Sequence, residues 1–261
     1  MVINGVGEPL LNPNFCEILS IAKRSGVADF VEFFTNGTLL TPQLSKDIAQ
    51  TGVDRVKISL QGLNDEKYKQ VCGKNISYKE LHDNIEYFSS IKNNTELFVK
   101  IIDIGLEDNY DLFLKQFSFA DRLFVEHVQP WFHEVDYSTI ISQKLSSNVK
   151  NKYGTYVDVP NVCPVPFYRF YIDVTGNVFY CYSIRKPATV FNCLEKSLVD
   201  IWNSKERYSF LCSLLKNGLI GNNACLNCTM MCDSAFSQQD NLDSYSEELL
   251  NKFRLEGKYY E

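Results

Sequence analysis

Seven of the nine cysteines in this 261-residue chain lie between Cys163 and Cys232. A chain of this length buries a core large enough to need no disulfide staples, so clustered thiols point to metal binding or catalysis. Cys163 and Cys181 are separated by 17 residues. Gly176 stands five positions before the second, where Thr175-Gly176-Asn177 marks a hairpin turn between Tyr168–Val174 and Val178–Tyr182. Cys225-Leu226-Asn227-Cys228 is a Cys-x2-Cys knuckle. One pair across a hairpin and one pair in a knuckle can converge on a single four-thiolate site, a donor set that suits zinc and an iron–sulfur cluster alike. Cys193 and Cys212 fall outside that spacing. Cys16 reads as a structural thiol on the apolar face of a helix, and Cys72 is assigned no role.

A second constellation occupies the first half. Gly5-Val6-Gly7-Glu8-Pro9, Thr35-Asn36-Gly37 and Ser59-Leu60-Gln61-Gly62 each follow a predicted strand. In parallel α/β folds the carboxyl ends of strands converge on the ligand site, and glycines there let backbone approach a ligand or adopt positive φ. Any one of these motifs alone reads as a βα turn; three after consecutive strands read as a site. His82 lies on a helix, and His127 and His133 lie near the end of the last strand; all three read as structural.

The elements that must position these residues alternate. Met1–Asn4 is the end of a strand, and a helix runs from about Pro13 to Ser25. Phe30–Phe34 is the next strand, followed by a helix that Thr41 and Pro42 open and Gly52 closes. Asp54–Leu60 is a strand, and Ser77–Ile91 a helix with Leu81, Ile85 and Phe88 on one face. Glu96–Asp103, Asp108–Phe117 and Arg122–Val128 continue as strand, helix, strand. Five strands alternating with four helices predict βαβ units and a parallel sheet or partial barrel. Beyond Trp131 the composition changes: a polar stretch, the cysteine-bearing segment from Val162, a helix around Leu198–Leu215, and a charged C-terminal tail.

Bulk properties narrow the function. With 45% hydrophobic and 22% charged residues the chain is an ordinary globular one. A formal charge of −6 disfavours binding to nucleic acid or an anionic membrane surface. No apolar run is long enough for a membrane span, and the N-terminus has no basic region followed by an apolar stretch. The expectation is a cytoplasmic protein.

On the order, spacing and strand context of its three motifs, the chain from residue 1 to about 130 resembles the radical S-adenosylmethionine (radical SAM) family. There a Gly-Gly-Glu-Pro-like motif follows the second barrel strand, Thr-Asn-Gly the third, and a Ser-Leu-Asp-Gly-like turn the fourth. The resemblance implies an α/β fold, an incomplete parallel β/α barrel of partial TIM type. It also implies that Glu8 accepts a hydrogen bond from the SAM ammonium group, that Gly5 and Gly7 present backbone, and that Asn36, Ser59 and Gln61 line the SAM pocket. Gln61 stands where the family often has aspartate. The family's Cys-x3-Cys-x2-Cys loop, which holds the [4Fe–4S] cluster that binds SAM, has no counterpart in these 261 residues. The expectation is an N-terminally incomplete protein, inactive as it stands, with SAM binding weak or lost. The second [4Fe–4S] cluster would belong only to a full-length form.

The segment Cys163–Asp233 resembles the SPASM/twitch extension that follows many radical SAM barrels. The residues that carry this likeness are Cys163-Pro164, Gly176-x4-Cys181, Asp200-Ile201-Trp202-Asn203 and the knuckle. It implies one auxiliary [4Fe–4S] cluster on Cys163, Cys181, Cys225 and Cys228, with Cys232 as substitute fourth ligand. The expected organisation is a partial barrel over 1–135, a linker over 136–160, a SPASM/twitch-like domain over 161–236 and a tail over 237–261. The implied activity is 5′-deoxyadenosyl-radical chemistry on a peptide or small-molecule substrate, with an electron donor as partner. The alternatives are a non-catalytic metal-binding scaffold or partner-binding remnant, and a zinc-stabilised fold.

Overall fold

Alternation of polar and apolar residues in Arg55–Leu60 builds a strand that buries Val56, Ile58 and Leu60 while Arg55, Lys57 and Ser59 face the other way. The computed structural model describes residues 1–261 apart from 6, 130–134, 138–148, 158, 184, 188, 227, 229–239 and 261. The chain divides into two units, Met1–Val128 and Gln129–Glu261.

In the first unit β1 (Val2–Ile3), β2 (Glu32–Thr35), β3 (Arg55–Leu60), β4 (Glu96–Ile102) and β5 (Arg122–Glu126) pair in chain order, every neighbour parallel. Between them run α1 (Phe15–Arg24), α2 (Pro42–Thr51), α3 (Asp65–Cys72), α4 (Tyr78–Ile91), α5 (Asp103–Leu106) and α6 (Tyr110–Gln116). This is the expected α/β architecture of consecutive parallel strands. Leu19, Ile48, Ile85 and Phe88 from the helices form one buried cluster with Phe33, Ile58 and Val99 from the strands. Local chemistry sets the boundaries. Thr41 caps α2 through Leu44 N, Gly52 ends it at φ 70°, and Ser77 caps α4 through Glu80 N. Helix α3 lies in a stretch the hydrophobic pattern left unassigned; it is polar, capped by Asn64 and stopped by Gly73.

The face of the sheet away from that cluster carries alternate polar and aromatic residues in register. Glu32, Arg55 and Glu96 form one row, Phe34, Lys57, Phe98 and Arg122 the next, and Ser59, Lys100 and Phe124 the one beyond. Glu32 pairs with Arg55 at 3.1 Å and Lys57 at 3.0 Å, and Lys100 pairs with Glu126 at 2.5 Å. Half-buried charges on one sheet face are tolerated because each has a partner.

In the second unit β6 (Val149–Lys150) and β7 (Tyr156–Val157) pair antiparallel, and β8 (Tyr171–Ile172), β9 (Asn177–Phe179) and β10 (Thr189–Asn192) form a three-stranded antiparallel sheet. The short α7 (Val165–Tyr168) precedes β8. The helix expected around Leu198–Leu215 is two, α8 (Leu198–Trp202) and α9 (Lys205–Asn217), because Ser204 turns extended and caps α9 through Arg207 N. In the stretch expected as a tail, α10 (Ser246–Leu255) buries Leu250 and Phe253 with Leu211 and Leu215 of α9.

Candidate functional site

At the carboxyl end of the first unit's strands, Glu8 is the hub. Its Oε1 accepts from Leu10 N at 3.1 Å and from Thr35 Oγ1 at 2.7 Å, and its Oε2 accepts from Asn36 N at 2.8 Å. The loop after β1 is thereby tied to the end of β2. Asn36 Oδ1 is occupied by Thr38 N at 2.9 Å and Thr38 Oγ1 at 2.6 Å. Thr35 pairs with Ile58, so the next residues along, Asn36 and Ser59, are neighbours across β2 and β3. Gly37 needs its hydrogen side chain: φ is 76°, and a Cβ would meet Leu81 and Ile58 at 3.1 and 3.2 Å. Gly7 is glycine for a different reason, since φ is not positive and a Cβ would meet nothing within 4 Å. The space beside its backbone is open.

Gln61 belongs to the same edge. Its carbonyl lies so close to Gly105 that a Cβ there would fall 2.3 Å from the oxygen, which locks the turn after β4 onto the turn after β3. That turn carries Asp103, whose Oδ1 accepts from Ile104 N at 2.8 Å and Val128 N at 3.2 Å and whose Oδ2 meets His127 Nδ1 at 2.8 Å. This aspartate–histidine pair at the ends of β4 and β5 was not legible as a pair, because its members are 24 residues apart. His82, by contrast, is a packed ring against Phe117 and Phe119 with Nε2 on Gln116 O at 2.9 Å. His133 lies outside the described residues.

In the second unit Cys163, Cys181, Cys225 and Cys228 line one cavity together with apolar Val165, Pro166, Leu214 and Leu219. Each thiol has its own scaffold. Asp243 forks onto Asn161 N at 2.9 Å and Val162 N at 2.8 Å, fixing the approach to Cys163. Cys181 follows β9, whose hairpin turn is organised by Asp173. That carboxylate accepts from Thr175 Oγ1 at 2.7 Å, Thr175 N at 2.9 Å and Asn177 N at 3.0 Å. These bonds, the Thr175 hydroxyl first, pull its pKa down to about 2. The knuckle is a turn in which Cys228 N donates to Cys225 O at 3.0 Å, and Asn222 Nδ2 ties its start to Pro187 O at 3.3 Å.

Burial pushes Cys181 up to about 11, Cys225 up to about 12 and Cys163 further, and neighbouring thiols add to the rise. Four thiols sharing one apolar cavity fit a thiolate-bound metal centre, which supplies the positive charge that would hold them ionised. Among the described residues no group of three or more His, Cys, Asp or Glu is gathered tightly enough for one metal ion. Cys212 is a buried core residue on α9, Cys16 is a helix thiol packed against the first core, and Cys72 ends α3 with its Sγ on Tyr68 O. Cys193 is half-buried beside the hairpin turn, its N on Gly176 O at 2.8 Å. Cys232 lies outside the described residues. Among those residues no helix is long and apolar enough to cross a membrane.

The chain is thus a parallel α/β unit with glycine-bearing loops at its strand ends, followed by a small unit with a thiol-lined cavity. The radical SAM superfamily model matches residues 1–116, and the iron–sulfur cluster-binding domain model called SPASM matches residues 163–229. Residues 1–116 thus read as a radical SAM domain and residues 163–229 as a SPASM domain. The chain is 24% identical over 282 residues to the tungsten-containing aldehyde ferredoxin oxidoreductase cofactor-modifying protein of Pyrococcus furiosus, covering 94% of this chain and 77% of that one. Its fold is similar to that of Streptococcus suis SuiB bound to the precursor peptide SuiA, with TM-score 0.57 and 16% identity over 93% of this chain and 62% of SuiB. It is likewise similar to anSMEcpe with bound AdoMet, with TM-score 0.57 and 13% identity over 98% and 80% of the two chains.

Proposed function

We propose that this chain supplies SAM binding and an auxiliary cluster in radical SAM/SPASM chemistry on a peptide or small molecule. The observation that carries the reading is the gathering of Cys163, Cys181, Cys225 and Cys228 in one apolar cavity. An iron–sulfur cluster is favoured over zinc. A single zinc draws its thiolates in to about 2.3 Å from one point, whereas each thiolate of a [4Fe–4S] cluster bonds a different iron. The match of residues 163–229 to an iron–sulfur cluster-binding domain model supports the cluster. A bound cluster of this kind supplies one-electron chemistry; the protein's part is to hold the thiolates and keep water away.

In the first unit, Glu8 would offer SAM its remaining acceptor position, since Leu10 N, Thr35 Oγ1 and Asn36 N fill three of the roughly four lone-pair sites of a carboxylate. Gly5 and Gly7 would present backbone, and Asn36, Ser59 and Gln61 would line the same pocket. The domain pattern supports a working partnership with an electron donor, in a cytoplasmic setting that keeps the thiols reduced. The peptide in the SuiB structure supports a peptide substrate; the cofactor-modifying relative supports a small molecule.

Anaerobic reconstitution with iron and sulfide tests the reading. The wild-type chain should bind iron and sulfide and become coloured. Cys181→Ala should lose most of the iron, and Cys193→Ala should lose none. A colourless protein with stoichiometric zinc and no sulfide would reject the cluster, and equal losses in both variants would reject the ligand set.

A further inference from the structure

On the sheet face away from the helix cluster, two ammonium groups converge on one ring. Lys57 of β3 and Lys100 of β4 place their Nζ atoms 4.7 and 5.2 Å from the centre of Phe34 on β2. Both side chains are largely buried, 17% and 16% exposed. Each donates to one carboxylate, Lys57 to Glu32 at 3.0 Å and Lys100 to Glu126 at 2.5 Å. An ammonium has three donors, so two on each lysine find no acceptor among the described residues. Arg122 lies in the same row as Lys57, across Phe98, with its Cζ 5.7 Å from that ring and 6.0 Å from Phe124. No carboxylate among the described residues pairs with it.

The charges of this face do not cancel. Arg55, Lys57, Lys100 and Arg122 stand against Glu32, Glu96 and Glu126, a surplus of one cation on a chain whose formal charge is −6. Arg55 is engaged by both Glu32 and Glu96. The unused donors therefore belong to Lys57, Lys100 and Arg122, with Phe34, Phe98 and Phe124 between them. An anion with an apolar body fits such a surface. A single carboxylate would only repeat what Glu32 and Glu126 already supply. A phosphate group carries about −1.5 to −2 charges at neutral pH and three strong acceptor oxygens, so it can bridge both ammoniums while each keeps its glutamate.

Resting on the reading that Ser59 lines the SAM pocket, we propose that Lys57, Lys100 and Arg122 form the seat for a phosphate group on the substrate. Lys100 stands opposite Ser59 across β3 and β4, so the seat adjoins that pocket. The phosphate anchors the substrate on the sheet, and the phenyl rings receive its organic part. The substrate class is accordingly a phosphorylated small molecule rather than an unmodified peptide.

The test uses the full 261-residue chain and three probes: phenyl phosphate, its singly charged analogue phenyl sulfate, and the capped peptide acetyl-Glu-Glu-amide. Amide shifts in isotope-labelled protein locate the site, and the titration curve reads the affinity. Phenyl phosphate should saturate, with shifts centred on β2 to β5, and should bind more tightly than either other probe. Lys57→Gln and Lys100→Gln should each weaken it about tenfold, the loss of one charge-assisted hydrogen bond. Lys57→Arg and Lys100→Arg keep the charge and should stay close to wild type, which separates the seat from a loss of folding. Lys46→Gln, at an exposed lysine on α2, should change nothing. Phenyl phosphate that does not saturate, or that binds both Gln variants as tightly as wild type, would overturn the proposal. So would equal binding of phenyl sulfate, the mark of unspecific attraction, or tighter binding of the peptide, the mark of an acidic peptide substrate. SAM is titrated separately: if SAM fails to bind while phenyl phosphate behaves as expected, the pocket reading falls and the phosphate seat stands.

Discussion

Replacing Glu8 by alanine should open the loop after β1 and leave the rest of the first unit folded. The carboxylate receives three hydrogen bonds, from Leu10 N, Thr35 Oγ1 and Asn36 N. A bond to an ionised acceptor is worth about 1.5–3 kcal/mol, with partly exposed ones at or below the low end. Water reaches this half-buried site and recovers part of the loss, so the net cost is about 2 kcal/mol rather than the sum. At about 1.4 kcal/mol per decade this is roughly a 30-fold faster opening. Site-resolved amide exchange reads it directly, because Asn36 N–H and Leu10 N–H are themselves the donors. Glu8→Gln sharpens the test. Its amide oxygen can serve Asn36 N, while its NH2 must face Thr35 Oγ1 and Leu10 N. The hydroxyl can turn and accept; the Leu10 N–H cannot. Glutamine should therefore leave Asn36 protected and expose Leu10, for a cost of about 1 kcal/mol. Exchange at Asn36 within twofold of wild type in Glu8→Ala would refute the reasoning, as would equal exposure of both amides in Glu8→Gln.

Other outcomes follow from the second unit and the motif inventory. The metal-free thiols are raised from 9.0 to about 11 at Cys181 and about 12 at Cys225, so the fold favours their neutral form. That contribution is complete below pH 9 and disappears as pH rises from 9 toward 12; urea titrations of metal-free protein, followed by Trp202 fluorescence, should show stability falling across that window. Asp243→Asn leaves one of the Asn161 and Val162 amides facing an NH2 group and should cost about 1–2 kcal/mol, with faster loss of bound iron to a chelator. Gly37→Ala should destabilise the first unit by about 1–3 kcal/mol, measured by denaturant unfolding, because φ 76° and the contacts with Leu81 and Ile58 both oppose a Cβ. The 261-residue chain holds no Cys-x3-Cys-x2-Cys run, so with SAM and reductant under anaerobic conditions it should form no 5′-deoxyadenosine above a protein-free control.

The strand-and-helix succession of the first unit was legible because each element carries a strong local signal: the alternation of Arg55–Leu60, the Thr41-Pro42 start and the apolar face of Tyr78–Ile91. Helix Asp65–Cys72 was not, since it buries only Tyr68 and is announced by its caps rather than by periodicity. Likewise α10 has few apolar residues among many charges, and only contact with α9 shows that Leu250 and Phe253 form part of a core. Spacing alone could bring four cysteines to mind for one site. It could not show Asp243 behind them, because that support lies 81 residues from Val162 in the chain. The Glu8 hub was visible as a motif, while its internal bonds depend on the packing of β1 against β2.

The fork of Asp243 on Asn161 and Val162 also sets a timetable for biogenesis. During synthesis Cys163 and Cys181 emerge first, and the knuckle follows more than 40 residues later. The residue that fixes the approach to Cys163 arrives later still, followed by the helix that closes the core over α9. A nascent chain ending before residue 243 therefore presents its thiols on an unclamped scaffold, open to oxidation or to the wrong metal. Correct loading therefore waits until Asp243 and the helix Ser246–Leu255 have been made and folded.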